Sequence, residues 1–520
     1  MIKQLNKKDV LDSIKKWIWR ILLIACVCEC LFFFSSENFY GCITLIYGWF
    51  LISHFCVKRE YLCKFLLPTL VMLGLGISYS FLPIVVTLLE NKPLTFNFQV
   101  PYLTFTNQII SITVITIAYR WAIKIYKPKN ILNTIWNKIG YMTVPSEKEI
   151  WIMGGIGFMS LLAIMSEQGT ESEYQATGNF MGIVIRVLSG LSLAPICLYF
   201  KKLYGDTSSV KSKRFIKYYI LFLMLLGIAS TRRMLIFNSI VTVACIYLFL
   251  LIYNNRAIFT AKKIAIICLI GYLVVGPVAD LAMAMILNRQ LVHNSNASTT
   301  FKKVWELYQD KETLHNAYQI AMSISDNGGN NEYGWSEYYV DNIFLDRFCN
   351  LRTIDATIYN AQASGLGNKK GLEYYKNFWI NEIPGSITNS LGLKKYFYGT
   401  ATDHMLENNF GQRYSQYGHK VGGETGIGLW IFGYWYYAIA LITYFIMFYF
   451  LCSFTNTLNG RLLIPVPILI NFRLYWMFFL NANGIFTSMG YVFTRNNLNR
   501  ILIYCVLIFI IHNLFRRKRL

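Results

Sequence analysis

Charge is what this chain has least of. Asp, Glu, Lys and Arg make up only 15% of its 520 residues, while 55% are hydrophobic. Soluble domains carry about a quarter charged residues, so a solvated globular fold is excluded for most of the chain. Acids are scarcest, 27 Asp and Glu against 49 Lys and Arg, for a net charge of +22. The bases fall in short connections between apolar runs. That placement reads as an orientation signal in a membrane and excludes a nucleic-acid footprint. Histidine is sparse, six in all, and only His54 falls well within an apolar run. A membrane acyltransferase built on a catalytic histidine is therefore disfavoured. The twelve cysteines lie mostly in or beside apolar runs. Cys26, Cys28 and Cys30 are two apart, which fans them over different helix faces, so no metal site and no cofactor is expected. Segment 288–425 holds Cys349 alone and cannot contain an internal disulfide. No internal repeat, low-complexity tract or secretory leader is apparent. The basic stretch 1–20, with Ile2, Leu5, Leu11, Ile14 and Trp17, reads as a surface helix leading into the first span.

What the chain has instead is apolar runs of about twenty residues, the length that crosses ~30 Å of hydrocarbon. Hydropathy places roughly twelve spans, near 20–36, 40–56, 65–89, 102–124, 150–167, 179–200, 216–230, 234–253, 264–287, 426–452, 462–480 and 500–515. With the N-terminus inside, the inner connections are 57–64, 124–149, 201–217, 253–263, 453–461 and the tail, which ends Phe515-Arg516-Arg517-Lys518-Arg519-Leu520. The outer connection 166–179 carries acids and no base. The expected fold is an all-α polytopic membrane protein, N-in and C-in, with one large, mostly helical outer loop. Its parts are a membrane bundle at 1–287, the loop at 288–425 and a second bundle at 426–520. Segment 130–142 has Ile131, Leu132, Ile135, Trp136 and Ile139 at helical spacing and reads as an interfacial helix.

In the loop, Val304, Leu307, Tyr308, Leu314 and Ala317 repeat at three and four, predicting a helix over 300–323, and 346–363 can form another. Gly/Asn-rich breaks fall at 325–334 and 363–370. Trp335, Tyr338, Tyr339, Tyr374, Tyr375 and Trp379 suit either stacking on sugar rings or a cap resting on headgroups. Asn296-Ala297-Ser298 matches a glycosylation acceptor, a pattern common by chance.

The sharpest feature is arginine in unfavourable places. Arg186 and Arg473 fall in the outer halves of expected spans, and Arg232 and Arg233 in an outward hairpin. Arginine at such depth costs a few kcal/mol unless it faces a polar cavity or an anion. Each alone can snorkel or pair with an acid such as Asp280. Together they point to a phosphate-bearing amphiphile, because guanidinium presents a planar fork of donors and stays charged.

Ser230-Thr231-Arg232-Arg233, ending one span and opening the next, resembles the Ser-Arg turn of the O-antigen ligase and polymerase superfamily. Gly426-Ile427-Gly428-Leu429-Trp430-Ile431-Phe432-Gly433-Tyr434-Trp435 is similar to the glycine-and-aromatic segment that follows the large outer loop in that family. The overall plan is similar too. Arg413, followed by Gly422 and Gly423, is out of register with the family's Arg-containing loop motif. The resemblance implies a GT-C-type fold in the bacterial cytoplasmic membrane with its active site facing the periplasm or exterior. It implies a polysaccharide polymerase that joins undecaprenyl-diphosphate-linked oligosaccharides, serving as both donor and acceptor, without a metal. A chain-length regulator is an additional partner in that setting, and nucleic acid is not one. Arg186, Arg232, Arg233 and Arg473 would then stabilise the leaving diphosphate. Glu424, His404 and His419 are candidates for the base, and Arg347, Arg352 and Arg413 either for the second diphosphate or the glycan or for surface ion pairs with Asp346 or Asp355. An O-antigen ligase and a flippase for lipid-linked oligosaccharide are the alternatives.

Overall fold

Long apolar runs fold as helices because only a helix satisfies every backbone N–H and C=O within its own segment when no water is at hand. The structure is a computed structural model. It describes residues 9–127, 130–166, 180–229, 233–255, 276–291, 297–314, 339–346, 348–383, 385–395, 399–411, 420–458, 461–480, 484–490 and 497–516, with a few single positions between. It is all-α. Among the described residues the strands are one short antiparallel pair, Asn456–Leu458 with Arg461–Leu463. Among the described residues five helices are long and apolar enough to cross a membrane: Ser36–Cys56, Leu66–Leu89, Pro101–Ile125, Val184–Leu203 and Glu424–Cys452. Two shorter apolar helices are Asn238–Tyr253 and Leu498–Leu514. Of the expected span at 264–287, most of the first half lies outside the described residues, and the second half falls in helix Pro277–Leu291.

Three expectations need correction. The first helix runs unbroken from Val10 to Phe32, so the amphipathic stretch and the first apolar run are one element. Nothing between Val10 and Arg20 breaks a helix, and Asp9 caps its start by accepting from Leu11 N. The run 462–480 is not one helix but two short pieces, Val466–Ile470 and Phe472–Trp476. Pro465 and Pro467 permit helix only downstream of themselves, and Asn471 turns the chain between the pieces. Finally, Glu424–Cys452 is folded back on itself. Its first part, Glu424–Phe432, ends at Gly433 with φ +58°, and the chain re-enters helix at Tyr436–Cys452. A straight helix would separate Glu424 from Tyr444 by about 30 Å. Instead the Tyr444 hydroxyl donates to the Glu424 carboxylate. The two parts are therefore antiparallel, and Glu424–Phe432 is a re-entrant half-helix.

Contacts sort the connections into two groups. At one end Trp136 Nε1 donates to Ser453 Oγ (2.9 Å), Tyr141 OH to Phe454 O (3.0 Å) and Ile464 N to Leu203 O (2.8 Å). Lys201, 4% exposed, lies there between Glu147 (3.2 Å) and Asp206 (3.0 Å). The helix Ile131–Lys138 lies at this end with Trp136 buried and Ile131 78% exposed, the one-sided pattern of a helix lying along an interface. At the opposite end Tyr339 OH donates to Leu94 O (2.7 Å), and Asp341 N to Glu90 (2.6 Å). Tyr339 and Trp335 are core residues, so they are not open faces for a sugar. Tyr338 lies outside the described residues.

Candidate functional site

Helix Leu351–Ser364 does not rest on the bundle as a cap. It inserts into it. Helix Leu351–Ser364 packs along the re-entrant helix through glycines: a Cβ at Gly423 would meet Ile354 Cα at 2.8 Å, and one at Gly426 would meet Thr357 C at 2.7 Å. Gly423 N donates to Thr357 Oγ1 (2.7 Å). A Cβ at Gly428 would strike the Tyr436 ring at 2.1 Å, which explains the close return of the chain. Gly367 N and Asn368 N donate to Leu429 O (3.1 Å) and Trp430 O (2.7 Å). These bonds satisfy carbonyls that a buried helix end would leave orphaned.

This packing places Glu424 at the first helical position, 4% exposed. Its carboxylate accepts from Tyr436 OH (3.1 Å), Tyr444 OH and Ser488 Oγ (3.5 Å). The amide end of the helix faces it, which favours negative charge there. It borders a cavity of about 10 Å³, roughly one water, walled also by Tyr79, Gln108, Ser111, Thr425 and Tyr436. Ser111 stands about 15 Å along its helix from Pro101, so the cavity lies well inside the bundle. Ser111 and Thr425 share a hydrogen bond (2.9 Å). Gln108 donates to Tyr79 O (2.7 Å), while its Oε1 is buried with no partner among the described residues. The arrangement offers a proton acceptor amid hydroxyls in a dry, narrow space. Among the described residues no group of three or more His, Cys, Asp or Glu could hold a metal ion.

The other candidates divide. Arg352 is 2% exposed and pairs with Asp355 at 2.8 Å. Asp355 also accepts from Gln99 N (2.7 Å), Val100 N (3.0 Å) and Thr104 Oγ1 (2.9 Å). Burial pushes its carboxyl up against the pull of those donors and of Arg352, and burial pushes the guanidinium down. This pair pins the inserted segment to the head of helix Pro101–Ile125, so Arg352 is a structural anchor and not a free phosphate ligand. His404 sits on Ala401–Phe410 against Tyr374, ring centroids 5.0 Å apart, with Glu407 3.8 Å away. Burial lowers its pKa to about 4, which makes it a weak base at neutral pH. Its neighbour Asp403 is occupied in capping: it accepts from Thr400 N (2.8 Å) and Lys420 N (3.1 Å).

Arg473 lies in the broken segment, close enough to Cys245 to act on it electrostatically. Arg186 lies on Phe180–Ser189. Neither is among the groups acting on Glu424. Among the described residues Asp280 pairs with Lys311 (2.6 Å). Arg232, Arg347, Arg413 and His419 lie outside the described residues, as does the side chain of Arg233, whose backbone opens helix Arg233–Tyr253. Sequence reasoning missed Tyr436, Tyr444 and Ser488, and offered Asp355 only as a surface ion-pair partner for the loop arginines; the pair with Arg352 forms, but buried. The eight-residue spacing of the two tyrosines puts both on one helix face and was the available signal. Comparison with protein-family models, with curated proteins and with solved structures gives no match to this chain.

Proposed function

We propose that this chain is a glycosyltransferase of the cytoplasmic membrane that polymerises undecaprenyl-diphosphate-linked repeat units at the outer face. The observation carrying this reading is the buried Glu424 carboxylate at the head of a re-entrant helix, directly under the inserted segment. The resemblance at Ser230–Arg233 and Gly426–Trp435 supplies the chemistry. A sugar hydroxyl of one repeat attacks the anomeric carbon of the other. A new C–O bond forms, the bond to the diphosphate breaks, and the diphosphate leaves with the electron pair. Glu424 takes the hydroxyl proton. Arg232, Arg233, Arg186 and Arg473 meet the growing negative charge. A cavity of one water's size admits no sugar ring, so turnover requires helix Leu351–Ser364 to move off it. Both termini face the cytoplasm in this reading, roughly twelve spans cross the bilayer, and the inserted segment faces outward.

The test is a gel of surface polysaccharide from cells lacking the gene. A single-repeat product in place of the ladder is the expected result. Arg233→Ala or Arg232→Ala should give the same product at normal expression, and a normal ladder from both mutants refutes the diphosphate role. A second reading, a flippase for lipid-linked oligosaccharide, is favoured by the broken segment Val466–Ile470/Phe472–Trp476 beside a re-entrant helix, a combination found in transporters. That reading expects loss of all surface repeats, with lipid-linked repeats stranded inside. Full-length polymer accumulating on the lipid carrier would mark a ligase.

A further inference from the structure

Three thiols meet between the first two helices. Cys26 and Cys30 are four apart on helix Val10–Phe32 and so share one face. Cys42 comes from the facing helix Ser36–Leu51. Its Sγ lies 4.0 Å from Cys26 O, the carbonyl that faces the Cys30 amide one turn on, so Cys42 stands beside both residues. Cys28 is not part of the group. Beside it sits Glu29, fully buried. Glu29 Oε1 accepts from Leu94 N (2.6 Å), but Oε2 is buried with no partner among the described residues. The carboxylate acts electrostatically on Cys30 and Cys42. No Lys, Arg or His is among the groups acting on it. A carboxylate oxygen without a donor, next to thiols that must lose protons to react, is a proton acceptor in position. Cys30 is only half-buried, and its neighbours Val27 and Leu31 are exposed apolar residues on the surface of an apolar helix.

We propose that Cys30 and Cys42 form a disulfide-forming site served by Glu29, with a lipid-soluble quinone as oxidant. Glu29 takes the proton of one thiol. The resulting thiolate adds to the quinone; the other thiol gives up its proton and attacks that sulfur, the sulfur–quinone bond breaks, and its electron pair leaves with the quinol. The S–S bond replaces two S–H bonds, and both protons end on the quinol. The bond staples the first two helices beneath the turn that Leu94 anchors. This site is independent of the glycosyl-transfer reading and of the residues assigned to it.

The experiment uses the full chain in membrane vesicles treated with a short-chain quinone, followed by alkylation of free thiols and peptide mass analysis. The expected result is a Cys30–Cys42 linkage two hydrogens lighter than the reduced peptides. It should be lost in Cys42→Ser and unchanged in Cys28→Ser. Glu29→Gln should slow its formation at least about tenfold. Full alkylation of Cys30 and Cys42 after quinone treatment overturns the site, and so does a linkage that survives Cys42→Ser. A Cys26–Cys42 linkage in its place overturns the choice of Cys30. An unchanged rate in Glu29→Gln overturns the role of the carboxylate.

Discussion

Asp355 and Glu424 are both buried carboxylates, on helices that pack against one another, yet they are held in opposite ways. Asp355 has a guanidinium, two backbone N–H groups and a hydroxyl, every one a donor. Glu424 has three hydroxyls and, among the described residues, no guanidinium or ammonium acting on it. Hydroxyls can give or accept a hydrogen bond, so the Glu424 shell can follow a change in protonation, whereas the Asp355 shell fits only the anion. The first is how a fold fixes a segment in place. The second is how a site keeps a group chemically available.

Mutation should separate the two. The largest effect is expected on stability from Asp355→Ala, which strands Arg352 in the interior. Removing one member of a buried pair costs about 3–5 kcal/mol. Thermal unfolding of the detergent-solubilised protein measures it, and a loss below about 1 kcal/mol would mean that the pair is not an anchor. Glu424→Gln should do the reverse. Polymer formation falls by roughly 100-fold or more, while stability changes by about 1 kcal/mol or less because the amide keeps acceptor capacity. If both substitutions unfold the protein equally, the contrast fails.

Smaller effects sharpen the picture. Gly426→Ala drives a Cβ into the Thr357 and Ile358 backbone and should cost about 1–3 kcal/mol. Gly155→Ala, whose Cβ meets nothing within 4 Å, should be close to neutral or slightly stabilising by the same thermal assay. The smallest expected effect is a pH dependence at His404. Its imidazole stays neutral in the fold down to about pH 4, whereas the unfolded residue takes a proton near 6.5. Its contribution is therefore fully present above about pH 6.5 and is lost as pH falls toward 4, because there the unfolded state binds the extra proton. Melting curves across that window should slope downward with acid, and His404→Phe should flatten the slope.

The sequence made the helical class and most apolar segments legible, because a run of about twenty apolar residues has few other solutions. It also contained the breaks. Pro465, Pro467 and Gly433 stand in plain view, but hydropathy averages over them, and a folded-back run scores as well as a straight one. Asp355 was legible as an ion-pair partner for a loop arginine, but not as a cap, for a different reason. A loop acid that caps a distant helix is indistinguishable by type from a solvated one, since only the fold brings Gln99 and Val100 to it. Glu424 was singled out as the acid nearest the membrane surface, but the three hydroxyls that hold it were not. The thiol group shows the same gap. A spacing of two scatters cysteines over a helix, while Cys26 and Cys30, four apart, share a face that only Cys42 makes meaningful.

The re-entrant helix has a mechanical consequence. Its far end hangs from the turn at Gly365–Asn368 by two backbone hydrogen bonds, and its near end carries the carboxylate. At nine residues it is about 13 Å long, too short to bend appreciably. A load on that surface turn must either snap both bonds or shift Glu424 against its three hydroxyls. The helix is thus a push-rod, through which an event at the rim is felt in the middle of the bundle.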